Sequence, residues 1–276
     1  MKPFPKATLT LAAAIGLALA GCYTNPVTGR KSVVIIPRGE EVTLGAQSFQ
    51  EIRTKEKVST DPGYNARATR VGQRIAAAVG NELPDAQWEF VVFDSKELNA
   101  FALPGGKVGV YTGLLQLAES DAELAIVMGH EIGHVIARHG AERMTEALAM
   151  AGAGAIGSAI VEAKTSDPQT KQLFALAYGG ITTVGRVLPH SRANESEADR
   201  MGAVYAARAG YDPRAAITFW QKMLAQKKAA DQAGSSAGAV AQLFSTHPAD
   251  EKRIADLKAL MPQVLPIYEQ NKGKHP

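Results

Sequence analysis

Two histidines and a glutamate stand close together near the middle of the chain, in the segment His130-Glu131-Ile132-Gly133-His134. If this segment is an α-helix, His130 and His134 lie about 40° apart around its axis, and both imidazoles can reach one point in space. A zinc ion can be held at that point. Glu131 lies about 100° further round, where its carboxylate can contact a metal-bound water without binding the metal itself. The spacing therefore predicts a zinc site with Glu131 as the general base.

A catalytic zinc needs a third protein ligand and leaves one position open for water. His139 is a poor candidate because it lies about 140° away from the ligand face, and we expect a helix-end or surface histidine there. Further on, Glu195 and Asp199 share one helical face, whereas Glu197 points roughly the other way. One carboxylate could bind the metal while the other accepts a hydrogen bond from a ligand histidine. A solvated acidic face paired with neighbouring arginines would give the same spacing.

Three motifs in this order resemble the zinc metallopeptidases of family forty-eight, which include HtpX, the Oma-type proteases and the CAAX prenyl proteases. The motifs are HEIGH at 130–134, NESEAD at 194–199, and Ser245-Thr246-His247-Pro248 followed by Arg253. The resemblance also takes in Asn99–Val108 and covers about residues 60 to 260. It implies that Glu195 is the third zinc ligand, with Glu197 as second choice, and that Asp199 supports a ligand histidine.

The resemblance also implies roles for two residues near the C-terminal end. His247 is expected near the metal, where it stabilises the oxyanion or occupies the fourth zinc position in a resting form. Without the resemblance, Thr-His-Pro followed by acidic residues is a good helix start, and His247 is a loop residue beside it. Arg253 is expected to hold acidic groups such as Asp199.

The residues around the motifs predict the elements that position them. Ser120-Asp121-Ala122-Glu123 is a Ser-x-x-Glu capping pattern, which begins the helix that carries the HEIGH motif. Apolar residues at helical spacing predict helices over 40–57 and 62–80 that pack over this helix. Start and stop signals predict two more helices, over 168–187 and 191–209.

Residues 147–163 are rich in glycine and alanine. They could form a close helix contact, which we prefer, or a mobile cover over the site.

A small mixed or antiparallel sheet is predicted before the HEIGH helix. Residues 87–93 alternate as a strand, and 98–103 and 107–111 flank a Pro-Gly-Gly turn that suits a hairpin. In zinc peptidases, an edge strand beside the metal binds the substrate as an added strand. A purely structural hairpin is the alternative. By the resemblance, that edge lies near residues 99–101 and Lys107–Tyr111. The residues expected to bind substrate there are Asn99, Ala100 and Val108.

The first 21 residues are expected to be a lipoprotein signal peptide. Residues 7–20 are apolar but too short for a comfortable membrane span, and they end in Leu19-Ala20-Gly21-Cys22. That ending resembles the bacterial lipobox, in which the cysteine becomes the lipidated first residue. Cys22 is the only cysteine, which fits this single use; an uncleaved anchor or a free thiol is the alternative. Tyr23, in place of an aspartate, favours the outer membrane facing the periplasm.

Composition fits an enzyme with one main folded domain. The formal charge of +3 falls to +1 without the two lysines of the leader, and there is no basic block interleaved with aromatic residues. Nucleic acid is therefore not an expected partner. With the resemblance, the expected fold is α+β, a mainly helical zincin-like (gluzincin) domain with a small sheet beside the HExxH helix. The expected segments are a signal peptide (1–21), an N-terminal tether and helix (22–58), a peptidase domain (59–262) and a C-terminal tail (263–276).

The resemblance implies a lipid-anchored metalloendopeptidase of the cell envelope with one zinc ion per chain. Its expected substrates are misfolded or damaged envelope proteins, and its role is quality control. Two alternatives stay open. The protein could be a zinc-containing chaperone or adaptor lipoprotein that does not cut its clients, or a structural lipoprotein in which zinc only braces the helices.

Overall fold

A computed structural model describes residues 21–150, 168–178, 191–232, 247 and 251–274. These residues form nine α-helices and two small sheets, so the expected mainly helical α+β architecture is confirmed. The strands are β1 (Cys22–Thr24), β2 (Lys31–Val33), β3 (Glu89–Phe93), β4 (Ala100–Leu103) and β5 (Lys107–Tyr111). The helices are α1 (Arg38–Lys55), α2 (Pro62–Val79), α3 (Thr112–Leu117), α4 (Asp121–Ile136), α5 (His139–Met150), α6 (Pro168–Tyr178), α7 (Arg192–Arg208), α8 (Ala215–Gln232) and α9 (Glu251–Asn271).

The start of the described chain, within the segment expected to be a tether lying over the body, is a hairpin. Strand β1 pairs antiparallel with β2, and Cys22 lies opposite Val33. The loop Asn25–Arg30 joins the two strands and is closed by its own backbone, since Asn25 N donates to Arg30 O at 2.8 Å. Gly29 supplies the positive φ of +73° that this closure requires. The loop is therefore a fixed part of the body.

Helices α1 and α2 lie close to the predicted ranges and cover the core. Asp61 caps α2 by accepting a hydrogen bond from Tyr64 N at 2.9 Å. The stripe Val71, Ile75 and Val79 is buried, as its helical spacing predicts. Burial of this stripe fixes α2 against the helix that carries the HEIGH motif.

The second sheet is mixed and has the strand order β3-β5-β4. Strand β5 pairs parallel with β3 and antiparallel with β4, so it is the central strand. The expectation that Lys107–Tyr111 is a substrate-binding edge is therefore wrong, because its backbone is already bonded on both sides. Val108 lies in this central strand, so its backbone cannot pair with an added peptide. The two edge strands are β3, which bridges to Val58 at Phe93, and β4, which packs beside α4.

The predicted cap of α4 is present with one difference. Ser120 Oγ accepts a hydrogen bond from Glu123 N at 3.2 Å, as the capping pattern predicts. The carboxylate of Glu123 reaches one residue further back than in a standard capping box, and accepts from Glu119 N at 2.8 Å. It also accepts from Lys222 Nζ of α8 at 2.8 Å. This end of the HEIGH helix is thus tied to α8.

Helices α4 and α7 cross with their backbones in direct contact. A Cβ added to Gly202 would lie 2.8 Å from the backbone nitrogen of His130, and one on Gly129 would lie 3.1 Å from Gly202 Cα. Gly133 meets Ala198 and Met201 in the same way. Because glycine has no side chain, the two helices can approach this closely, which brings the acidic residues of α7 to the histidines of α4.

Near the C-terminus, helix α9 continues without interruption to Asn271. The boundary expected at residue 262 falls inside this helix, and Val264 is buried in the core. Residues 263–271 therefore do not form a separate tail. The described part of α6, Pro168–Tyr178, lies within the predicted helix over 168–187.

The rest of that predicted helix (179–187) lies outside the described residues, as do most of 147–163 and the leader (1–20). Within the part of the chain that the structure describes, no helix has both the length and the apolar content to cross a membrane.

Candidate metal centre

Four buried side chains bring their donor atoms together between α4, α7 and the start of α9. They are His130, His134, Glu195 and His247, and their donor atoms all lie within 4.8 Å of one another. The Nε2 atoms of the two α4 histidines are 3.0 Å apart. Glu195 Oε2 is 3.5 Å from His130 Nε2, and Glu195 Oε1 is 3.3 Å from His134 Nε2.

These separations fit a single metal ion. A tetrahedral site with bonds of about 2.0–2.1 Å has ligand atoms about 3.3 Å apart along each edge. His247 Nδ1 completes the group, at 3.3 Å from His130 Nε2 and 3.2 Å from Glu195 Oε1. The donor set of imidazole nitrogens and one carboxylate is the set that zinc prefers.

The partners of His130 direct its other nitrogen toward the centre. His130 Nδ1 lies 2.9 Å from Asp199 Oδ1, and a carboxylate can only accept, so Nδ1 donates and Nε2 is left for a metal. Asp199 is in turn held by Arg253, whose Nε and Nη2 each lie 2.7 Å from its oxygens. The guanidinium of Arg253 also stacks on Trp220, 3.9 Å from the ring centroid.

The charges of the site favour a cation. Burial lowers the pKa of His130, but its hydrogen bonds to Asp199 and Glu195 outweigh this effect and raise the pKa to about 10. Burial would raise the pKa of Glu195, yet the surrounding histidines hold it well below its usual range. Glu195 therefore stays ionised, and the negative field that attracts a proton to His130 also attracts a divalent metal ion.

Glu131 lies on α4 beside the donor group without joining it. Its carboxylate is almost fully buried, and this burial raises its pKa above the ordinary value of 4.5. Its Oε1 is 3.5 Å from His247 Nε2. A carboxylate with a raised pKa next to a metal site is a suitable acceptor for a proton from water.

His139 lies at a helix end, one of the two positions expected for it, but not at the surface. It does begin α5, but it is completely buried, and burial lowers its pKa. Its Nδ1 lies 2.8 Å from His134 Nδ1, and its Nε2 lies 3.0 Å from Glu197 Oε2. The chain turns between α4 and α5 at Arg138, which has a φ of +58°, and this turn brings His139 back toward the site. Helical spacing fails here because the helix has already ended.

Glu197, the second choice for third ligand, lies behind His139 and outside the group of donor atoms. Three residues of the Asn25–Arg30 loop contact its carboxylate, namely Asn25, Thr28 and Arg30. Sequence reasoning missed this use of the loop. Its turn-forming composition was the only signal, and it does not indicate a contact with α7.

Two of the three residues expected to bind substrate, Asn99 and Ala100, lie at the edge strand β4, which is buried, or next to it. Ala100 begins β4, and Asn99 precedes it and uses its carbonyl to accept from Tyr111 N at 3.0 Å. Cys22, the expected lipidation site, is exposed at the start of β1.

Comparison with known proteins gives a consistent result. The model of peptidase family M48 matches residues 62–261. Mitochondrial metalloendopeptidase OMA1 of Schizosaccharomyces pombe is 31% identical over 241 residues, which cover 86% of this chain and 66% of the relative. The protein of the same name from Arabidopsis thaliana is 37% identical over 220 residues, 79% of this chain and 41% of the relative.

A third relative is the beta-barrel assembly-enhancing protease of Escherichia coli K12. It is 28% identical over 251 residues, which cover 90% of this chain and 49% of the relative. The chain thus spans less than two thirds of the length of each of these three proteins.

Proposed function

Because the chain belongs to peptidase family M48, we propose that it is a zinc-dependent metalloendopeptidase. The observation that carries the proposal is the buried group of His130, His134 and Glu195. Glu131 lies beside this group, on the helix that carries the two histidines. Zinc held by these three residues would lower the pKa of a bound water and polarise the scissile carbonyl. The metalloendopeptidase names of the relatives support the same activity.

The residues of the chain divide the remaining work. Glu131 accepts the proton of the attacking water and delivers it to the leaving amine, for which its buried carboxylate with a raised pKa is suited. Asp199 and Arg253 hold His130 in place. Substrate backbone is proposed to pair with the edge strand β4 at Asn99 and Ala100, where hydrogen bonds tolerate many side chains.

His247 determines whether the fourth donor position of the site is occupied or open to water. Its Nδ1 lies as close to the ligand atoms as they lie to one another, so it occupies the fourth donor position of the group. That position is the one a catalytic site keeps open for water. The arrangement is therefore a resting form, and turnover requires His247 to move away from Glu195.

The first test combines metal content with proteolysis. Zinc per chain is measured by mass spectrometry on the purified protein, and casein digestion is followed for wild type and Glu131→Gln. We expect one zinc in both, and digestion by wild type only. Glu119→Gln, which changes an exposed glutamate just before the same helix, serves as the control and should digest casein normally.

Two results would contradict the proposal. Normal digestion by zinc-loaded Glu131→Gln would refute the role of Glu131, and wild type without zinc would refute the metal site. Zinc binding without digestion by wild type or by His247→Ala would favour a chaperone or a structural lipoprotein.

We further propose that Cys22 carries a lipid that anchors the enzyme to the outer membrane, facing the periplasm. The Leu-Ala-Gly-Cys sequence, the lack of any other cysteine and the exposure of Cys22 support this anchor. Misfolded envelope proteins are the proposed substrates; the name of the relative from Escherichia coli, beta-barrel assembly-enhancing protease, supports an envelope role. Fractionation of cells should place wild type in the outer membrane and Cys22→Ser in the soluble periplasm. If wild type and Cys22→Ser were distributed in the same way between these two fractions, the lipid anchor would be refuted.

A further inference from the structure

The carboxylate of Glu197 is saturated with hydrogen bonds. Its Oε1 accepts from Asn25 Nδ2 at 2.9 Å and from Thr28 Oγ1, and its Oε2 accepts from Arg30 Nε and lies 3.0 Å from His139 Nε2. A carboxylate offers about four acceptor positions, and all four are used here. Such a carboxylate is fixed in orientation, so it can in turn fix the ring of His139.

The direction of these hydrogen bonds determines which nitrogen of each histidine carries hydrogen. Glu197 can only accept, so His139 Nε2 donates, and Nδ1 of a neutral His139 is an acceptor. His134 Nδ1 therefore donates to His139 Nδ1 across 2.8 Å. The lone pair of His134 Nε2 is then directed at the centre of the donor group.

The loop that holds Glu197 is itself preformed. Asn25 Oδ1 accepts from the backbone nitrogens of Val27 and Thr28 at 2.9 and 3.2 Å, while its amide faces Glu197. Arg30 is fixed from its other side, because both of its terminal nitrogens bond Glu142 of α5, at 2.8 and 2.9 Å. Asn25, Thr28 and Arg30 thus converge on one carboxylate without depending on it for the shape of the loop.

We propose that Glu197 and His139 are positioning residues for the metal site, and that the Asn25–Arg30 loop is the part of the chain that holds them in place. The proposal rests on the proposed zinc site. The hydrogen-bonded series from the loop through Glu197 and His139 to His134 does for His134 what Asp199 and Arg253 do for His130. The loop begins three residues after Cys22, so it links the start of the described chain to the metal site.

The test measures the zinc dissociation constant of the full chain in detergent, by competition with a chromogenic chelator. His139→Leu removes the acceptor for His134 and should weaken zinc binding about 10- to 100-fold. His139→Asn places an oxygen where Nδ1 was and should recover a large part of this loss. Arg30→Ala and Glu197→Gln act further from the metal, so their losses should be smaller than that of His139→Leu.

Two comparisons separate positioning from general damage to the fold. The double variant Glu197→Gln/His139→Leu should bind zinc no more weakly than His139→Leu alone, because Glu197 acts through His139. Glu82→Gln is the matched control: it removes a carboxylate that accepts from Tyr205 and Arg208, at the far end of α7. It should keep the zinc affinity of wild type, and thermal melting of each metal-free variant reports its folding.

Wild-type zinc affinity in a folded His139→Leu variant would overturn the proposal while leaving the zinc site itself standing. Equal losses in His139→Leu and His139→Asn would also overturn it. Should His139→Leu not fold, the near-isosteric Glu197→Gln carries the test, and unchanged affinity there would have the same meaning. A wild type that binds no zinc would instead refute the proposed function, and this inference with it.

Discussion

The crossing of α4 and α7 is the feature of the fold most sensitive to a single added methyl group. In Gly202→Ala, the new Cβ would lie 2.8 Å from His130 N and 3.1 Å from both His130 Cα and Ile126 O. Ordinary contacts of a Cβ begin near 3.4 Å. The helices must therefore separate by about 0.6 Å at this point, because backbone atoms cannot turn aside as a side chain can.

The separation acts on the metal site because both helices carry ligands. Glu195 lies two helical turns before Gly202 on α7, and His130 is the residue that the methyl group contacts. Metal–ligand distances tolerate changes of about 0.2 Å, which is well below the expected shift. We expect zinc affinity to fall by at least about tenfold, and the free energy of unfolding of the metal-free protein to fall by about 1–3 kcal/mol.

Chelator competition and thermal melting measure these two effects. Gly39→Ala is the matched control, since no atom lies within 4 Å of a Cβ at that position of α1. This control should keep wild-type zinc affinity and be as stable as wild type or slightly more so, because alanine favours a helix. If Gly202→Ala had the melting temperature and the zinc affinity of wild type, the close crossing of α4 and α7 would not be what holds Glu195 against the histidines.

Three further changes test other parts of the site. Asp199→Asn should weaken zinc binding about 10- to 100-fold in a chelator competition, because it disturbs the partner of His130 Nδ1. His247→Ala should keep its zinc and digest casein faster than wild type, since the fourth donor is removed. Burial would raise the pKa of Asp121, but hydrogen bonds to Arg70 and Arg67 lower it below 3.8. The ionised carboxylate therefore stabilises the fold above pH 3.8 and loses this effect as the pH falls through the lower folded-state pKa. The stability difference between wild type and Asp121→Asn, measured by urea unfolding, should shrink over that range.

The parts of the site that depend on one helix could be predicted from the sequence. His130, Glu131 and His134 follow from helical spacing alone, as does the cap at Ser120. Glu195 was separated from Glu197 only by the family resemblance, because helical spacing leaves the direction of α7 relative to α4 undetermined. In the structure, the contact of Gly202 with α4 fixes that direction. The sequence alone does not show which neighbouring helix a single glycine contacts.

Contacts between residues far apart in the chain could not be predicted from local patterns, and the resemblance covered only some of them. His139 was misjudged because a helical angle was extended past the end of α4, where Arg138 reverses the chain. The contact between Asn25 and Glu197 spans 172 residues, and neither residue has a local pattern that points to the other. The central position of β5 was missed for a related reason, since a hairpin turn fixes one strand partner and says nothing of a second one.

The geometry of α7 explains how residues on opposite faces of one helix serve one metal site. Helix α7 crosses α4 and contacts its glycines through Ala198, Met201 and Gly202. On one side of this contact, Asp199 lies at His130 Nδ1. On the other side, Glu197 lies against His139, which in turn lies at His134 Nδ1.

Each ligand histidine is thus oriented by its own carboxylate, and each carboxylate is paired with its own arginine, Arg253 for Asp199 and Arg30 for Glu197. The two arginines come from opposite ends of the described chain. The C-terminal part of the described chain therefore orients His130, and its N-terminal part orients His134.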